Sequence, residues 1–179
     1  MDLYKLVPVL VPVGLIGLSY VSKKGLGLGI RTLGTVSKHR GDTVTFKVRV
    51  KNETDASFSG GLGVAIKDSE NKIYFMNKDL NEFVPSTTPC ENTGIKGITL
   101  GANEEKEFSL GLKLPSNIAY GDVKIAVGVW EKADPCNPGN WLAFYPAEGP
   151  GNFASTDTAG NKITIVPSYK LEVVKVTIS

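Results

Sequence analysis

Between Thr43 and Lys51 the chain reads TVTFKVRVK, with Val44, Phe46, Val48 and Val50 alternating with Thr43, Thr45, Lys47, Arg49 and Lys51. Successive side chains of a strand point to opposite faces, so a period of two predicts a half-buried antiparallel strand with one apolar face. A chain built from such strands must bury each apolar face against another layer. The pattern recurs. Leu62, Val64 and Ile66 alternate, and across the D-S-E-N turn at 68–71 an apolar run from Ile73 to Met76 completes an expected hairpin. Phe108, Leu110, Leu112 and Leu114 follow, then Val123, Ile125, Val127 and Val129, separated by P-S-N and Y-G-D turns. Ala126 and Gly128 on the opposite face predict a close sheet or backbone contact, with Trp130 capping the end.

Ile163 and Ile165 predict a short strand, and LEVVKVTIS a last one. In the latter, Leu171 and Val173 share one parity and Val174, Val176 and Ile178 the other, as a β-bulge produces. No segment after Val21 has helical periodicity beyond one short turn at NKDLNEFV, 77–84. The 20 glycines and 10 prolines show no collagen-like period and suit tight turns. Seven or eight short strands without helices predict an all-β fold, a single antiparallel Ig-like or jelly-roll-type β-sandwich.

Ahead of this domain the composition changes. MDLYKLVPVLVPVGLIGLSYVSKK carries an uncharged run from Leu6 to Ser22, bracketed by Lys5 and by Lys23 and Lys24. The expected division is an N-terminal anchor or assembly segment, 1–24, and a β-sandwich domain, 25–179. Three readings of the first part stand side by side. As a bilayer-spanning helix the run meets only the lower length bound of about 17 residues. Pro8 and Pro12 remove backbone donors, so a helix there would start near Pro12 and carry Leu15, Ile16, Leu18 and Val21. As a cleaved secretory signal it has its charges on the wrong side and no A-x-A-like site. As an extended segment, Val7, Val9, Val11 and Val13 alternate with Leu6, Pro8, Leu10 and Pro12, a strand pattern able to complete a neighbour's sheet. Either the helix or the extended segment makes a membrane or a neighbouring subunit the partner, with a homo-oligomer or larger assembly expected. The positive-inside rule, counting Lys23, Lys24, Arg31, Lys38 and Arg40, places the domain on the cytoplasmic side, unlike a secreted adhesin. A virion protein, facing outward after a membrane is wrapped inside a shell, reconciles the two; the expected location is therefore membrane-anchored, cell surface or virion.

GDTVTFKVRVKNETDAS, LGANEEKEFSLGLKLP and GDVKIAVGVW resemble, in order and spacing, strands B, E and F of prokaryotic Ig-like surface domains of the CARDB kind. The resemblance covers about residues 26–131, with insertions at 77–97 and 131–161. It implies a non-enzymatic spacer, adhesion module or structural subunit.

The chemical inventory is thin. Twenty Lys and Arg against 18 Asp and Glu, interspersed, show no phosphate-binding face, so nucleic acid is not an expected partner. His39 is the single histidine and lies in a K-H-R turn without a nucleophile motif, so no catalytic residue is proposed. Glu53, Asp55, Asp68, Glu70, Glu104, Glu105 and Glu107 sit at expected turns, where acids are solvated. Cys90 and Cys136 lie in proline-containing loops and form either a disulfide or two thiols; with His39 they have no recognised zinc spacing, so neither metal nor cofactor is expected. GLGLG at 25–29 reads as a linker, Arg40-Gly41-Asp42 as a turn entering a strand, and Asn52-Glu53-Thr54 as a chance sequon.

The longest irregular stretch, 131–161, carries Trp141, Phe144, Tyr145 and Phe153 among prolines and glycines. Its aromatics either form a ligand loop for carbohydrate or protein, or WLAFY is a further strand covering the sandwich end. The expected function is that of a non-enzymatic structural or adhesion protein. The alternatives are a binding module using Trp141, Phe144 and Tyr145, and a filament or pilus subunit donating its N-terminal strand.

Overall fold

The TVTFKVRVK segment forms a ten-residue strand whose alternate side chains are buried. The computed structural model describes the backbone of residues 20–21 and 26–31 and all of residues 36–168. These residues form β1 (Tyr20–Val21), β2 (Leu26–Arg31), β3 (Val36–Lys38), β4 (Thr43–Asn52), β5 (Phe58–Lys67) and β6 (Ile73–Met76). They continue with β7 (Phe83–Pro85), β8 (Lys96–Leu100), β9 (Glu105–Lys113), β10 (Gly121–Trp130), β11 (Trp141–Tyr145) and β12 (Ile163–Ile165). A 3-10 turn at Cys90–Asn92 is the one helical element among the described residues.

The fold is all-β, with two sheets in a sandwich. One sheet has the order β1-β2-β4-β9. The other has eight strands, β3-β12-β10-β5-β6-β7, with β11 also on β10 and β8 also on β5. Neighbours pair antiparallel except β12 with β3, which run parallel. The two central strands of the larger sheet each divide their length between two partners. β5 pairs β8 through 58–62 and β6 through 65–67, and β10 pairs β12 through 121–123 and β11 through 127–130.

The core lies between the sheets. Val44, Phe46, Val48 and Val50 of β4 and Leu110 and Leu112 of β9 are buried, as are Leu62, Val64 and Ile66 of β5 and Val123, Ile125, Val127 and Val129 of β10. Phe46 meets Phe83 edge-to-face at 5.8 Å between centroids, tying β4 to β7 across the sandwich. The apolar faces read from the sequence are therefore the inner faces.

Several expectations change. The expected linker GLGLG enters β2, whose backbone pairs with β4 from Leu26↔Asn52 to Arg31↔Lys47. Glycine without side-chain packing reads as linker in isolation, but a ready β4 edge gives its backbone groups partners. Sheet pairing reaches back to Tyr20 and Val21, ahead of residue 25. The strand count rises to twelve among the described residues because β1, β2, β3 and β8 add to the expected strands and both insertions contribute, β7 within 77–97 and β11 within 131–161. Leu6 to Ser19 and the LEVVKVTIS strand lie outside the described residues, and no helix among the described residues is long and apolar enough to cross a membrane.

Asp68 is not a solvated turn acid. It is 3% exposed, and its carboxylate accepts from the backbone N–H of Glu70, Lys72 and Ala119 and from the Tyr74 hydroxyl, at 2.9–3.2 Å. Asp157 repeats the arrangement in the D-T-A-G-N turn, accepting from the N–H of Ala159 and Asn161 at 2.8 Å. In both turns the fourth residue has positive φ, Asn71 at 67° and Gly160 at 82°. The aspartate satisfies turn donors that the tight backbone leaves unpaired.

Candidate functional site

The outer face of the larger sheet carries a concavity suited to a ligand, a trough of about 410 Å³. It begins with residue size. On β5 the outward positions are Gly61, Gly63 and Ala65, and their partners on β10 are Trp130, Gly128 and Ala126. A strip of small residues along two central strands is a depression wherever its neighbours are large. Those neighbours are Phe75 of β6, opposite Ala65, and Phe144 of β11, opposite Gly128. Phe153 follows on the β11 side, beside the Ile125–Ala154 bridge.

Two aromatic rings cover the trough floor at Gly128. A Cβ on Gly128 would lie 2.8 Å from the Trp130 indole nitrogen and 2.9 Å from the Phe144 ring, so both rings lie over this glycine. Trp130 and Phe144 meet edge-to-face at 6.3 Å, and Trp141 meets Phe144 at 6.4 Å. Beyond them, Cys90 and Cys136 form a disulfide with Cα atoms 5.1 Å apart, joining the 3-10 turn to the β10–β11 loop. Cys90, Pro135 and Pro138 line the trough, so the disulfide braces its rim. Closing a loop of this length contributes about 4 kcal/mol in the chain-entropy picture.

Away from these rings the face becomes charged. Lys67 and Lys124 are the next outward residues and stand directly opposite one another. The Lys67 ammonium lies 5.9 Å from the centroid of the Phe153 ring, which itself lines the trough. Neither lysine joins an ion pair among the described residues. Asp122, two residues before Lys124 on the same face, is held by Lys162 at 2.9 Å and Thr164 at 2.7 Å. These hydrogen bonds, from Thr164 first and Lys162 second, draw its pKa below the usual carboxylate value.

The three aromatics of the expected ligand loop divide. Phe144 lines the trough, Trp141 stands behind it, and Tyr145 is buried with its hydroxyl donating to the Thr156 carbonyl. WLAFY is thus the strand β11, with Phe144 facing outward and Tyr145 inward. Phe153, the fourth aromatic of that stretch, also lines the trough, whereas Trp130 and Phe75 are trough aromatics that sequence reading did not assign to a site. The small outward residues Ala126 and Gly128 were the available signal, but the facing glycines on β5 become neighbours only through pairing.

Other sequence features are occupied structurally. Asn52 is 1% exposed and its side-chain amide donates to the Ala56 and Gly101 carbonyls at 2.7 and 2.8 Å, so the sequon is closed to glycosylation in the fold. Arg40 donates to the Ile118 carbonyl and stacks 3.9 Å from the Tyr120 ring centroid, while Asp42 accepts from the His39 N–H, so this R-G-D is an internal turn. The His39 ring is 3.2 Å from the Val166 carbonyl. Cys90, Glu91 and Cys136 cluster, but the disulfide removes the thiolates that a metal would need.

No family model matches the chain, and no curated protein matches it. Among solved structures it is similar to a Paenibacillus sp. cycloisomaltooligosaccharide glucanotransferase complexed with cycloisomaltoheptaose, with 14% identity and a TM-score of 0.35 over 59% of this chain and 12% of that one. It is also similar to Spo0M, sporulation control protein, from Bacillus subtilis, with 13% identity and a TM-score of 0.35 over 77% of this chain and 49% of that one. The chain spans less than half the length of either, and neither likeness assigns a function.

Proposed function

We propose that this protein is a non-enzymatic structural or adhesion protein, tethered or assembled through its N-terminal apolar segment and displaying the β-sandwich on a cell envelope or virion. The observation that carries this reading is the Cys90–Cys136 disulfide between two exposed loops. Such cross-links persist where the surroundings are oxidising, as they are at virion and cell surfaces. The Leu6–Ser22 run supplies the tether, and the CARDB-type resemblance belongs to the same proposal.

A binding role is the second reading, favoured by Phe144 and Trp130 lining a trough on the outer face of the larger sheet. Under it the display module carries its ligand on the sheet face and not on a loose aromatic loop.

Lipid flotation of the full chain from its producing cells or particles tests the tether. The full chain is expected to float with lipid, and Leu15→Lys with Ile16→Lys to release it, since each charge at mid-membrane costs about 3 kcal/mol. Labelling by a membrane-impermeant amine reagent then reports display on the outer surface. A wild-type chain that stays with soluble protein and outside any assembly overturns the reading.

A further inference from the structure

We propose that the trough is a binding site for a single-chain anionic amphiphile, a long-chain carboxylate, with its hydrocarbon tail along the Gly/Ala floor and its head group at Lys67 and Lys124. The proposal is independent of how the chain is tethered.

Three observations converge. The volume, about 410 Å³, falls in the range of about 300–1,000 Å³ typical of small-molecule sites. The walls are mostly apolar: Phe75, Phe144, Phe153 and Trp130 rise from a floor of Ala65 and Ala126, with Ser86, Thr88 and Thr93 also on the lining. Such a surface offers few hydrogen bonds, so it suits a hydrocarbon chain better than a sugar, whose hydroxyls would be left unpaired. Phe75 remains 39% exposed, a large apolar side chain on the rim with room to cover a ligand.

The third observation sets polarity. Like charges directly opposite across antiparallel strands repel, and Lys67 and Lys124 occupy such a pair without an ion-pair partner among the described residues. Asp122 is committed to Lys162 and Thr164, and Glu70 to Lys72 at 2.8 Å. An anionic head between the two ammonium groups removes the repulsion, while the tail runs over the floor toward the Trp130 and Phe144 rings. The Cys90–Cys136 disulfide joins two loops at the trough's rim.

The test titrates the full chain with 11-(dansylamino)undecanoate, followed by dansyl emission and by energy transfer from tryptophan. Saturable uptake is expected, with displacement by dodecanoate. Dodecanol is expected to compete about tenfold more weakly, the scale of two partly exposed charge contacts. Lys67→Gln with Lys124→Gln should cost dodecanoate about the same tenfold and leave dodecanol unchanged. Ala126→Trp should fill the floor and abolish uptake; because Ala126 is buried, Phe75→Ala on the exposed rim provides a second variant, expected to weaken both ligands. Absence of saturable uptake, equal competition by dodecanol and dodecanoate, or uptake unchanged in both Ala126→Trp and Phe75→Ala would overturn the proposal.

Discussion

Asp68 and Tyr74 show how one buried side chain organises several backbone segments. The carboxylate joins the 68–72 turn to Ala119 and to the Tyr74 hydroxyl. Asp68→Ala would leave the Ala119 N–H and the Tyr74 hydroxyl without this acceptor in a closed interior, a loss of about 2–5 kcal/mol measurable by urea unfolding. Burial first, and the Asp68 charge second, push the Tyr74 pKa up to about 12. An unfolded tyrosine ionises near 10, so the unfolded chain releases this proton before the folded one does. The stabilising effect is complete below about pH 10 and is lost as pH rises through 12, about 2 kcal/mol by that point. Tyr74→Phe is expected to remove that alkaline step, seen as a smaller drop in the urea midpoint between pH 9 and pH 12 than in the wild type.

At the scale of elements, the larger sheet is held by contacts its strands do not make with themselves. The disulfide joins the turn after β7 to the loop before β11. Cys90→Ser with Cys136→Ser is expected to lower stability by about 2–4 kcal/mol while retaining the β-sheet circular dichroism signal, because both sheets keep their ladders. β5 needs glycine for a steric reason at Gly61, where a Cβ would lie 2.6 Å from the Lys132 carbonyl oxygen and closer still to Ile95. Gly61→Ala should cost about 1–3 kcal/mol by thermal unfolding, since backbone of the β10–β11 loop must move aside. Neither effect is visible in the alternation of β5, since each depends on the β10–β11 loop, which the chain reaches more than 60 residues later.

The whole molecule shares one core between its sheets. Phe46 belongs to the four-stranded sheet, whereas Trp130 and Trp141 belong to the eight-stranded one. Phe46 is fully buried against Phe83, so Phe46→Ala is expected to cost about 3–5 kcal/mol. If the sandwich unfolds as one unit, tryptophan fluorescence and far-ultraviolet circular dichroism will shift to the same lower midpoint. Separate midpoints would mean that the sheets unfold independently.

The same division of scales separates what was legible in the chain from what was not. Period-two alternation at Val44–Val50, Leu62–Ile66, Phe108–Leu114 and Val123–Val129 determined the all-β class and which faces turn inward, because pleat geometry acts on adjacent residues. The proline loops around Cys90 and Cys136 made them candidates to pair, but only the folding of two distant loops onto one rim brought the sulfurs together. Pairing also turned a glycine-rich segment into β2, withdrew Asp68 from solvent and divided WLAFY between core and trough. The trough belongs wholly to tertiary structure. Gly63 and Ala65 are unremarkable in β5 alone; they become a floor when β10 sets Gly128 and Ala126 beside them and β6 and β11 raise aromatic walls on either side. Local sequence determines which way a side chain points, and strand pairing decides what stands next to it.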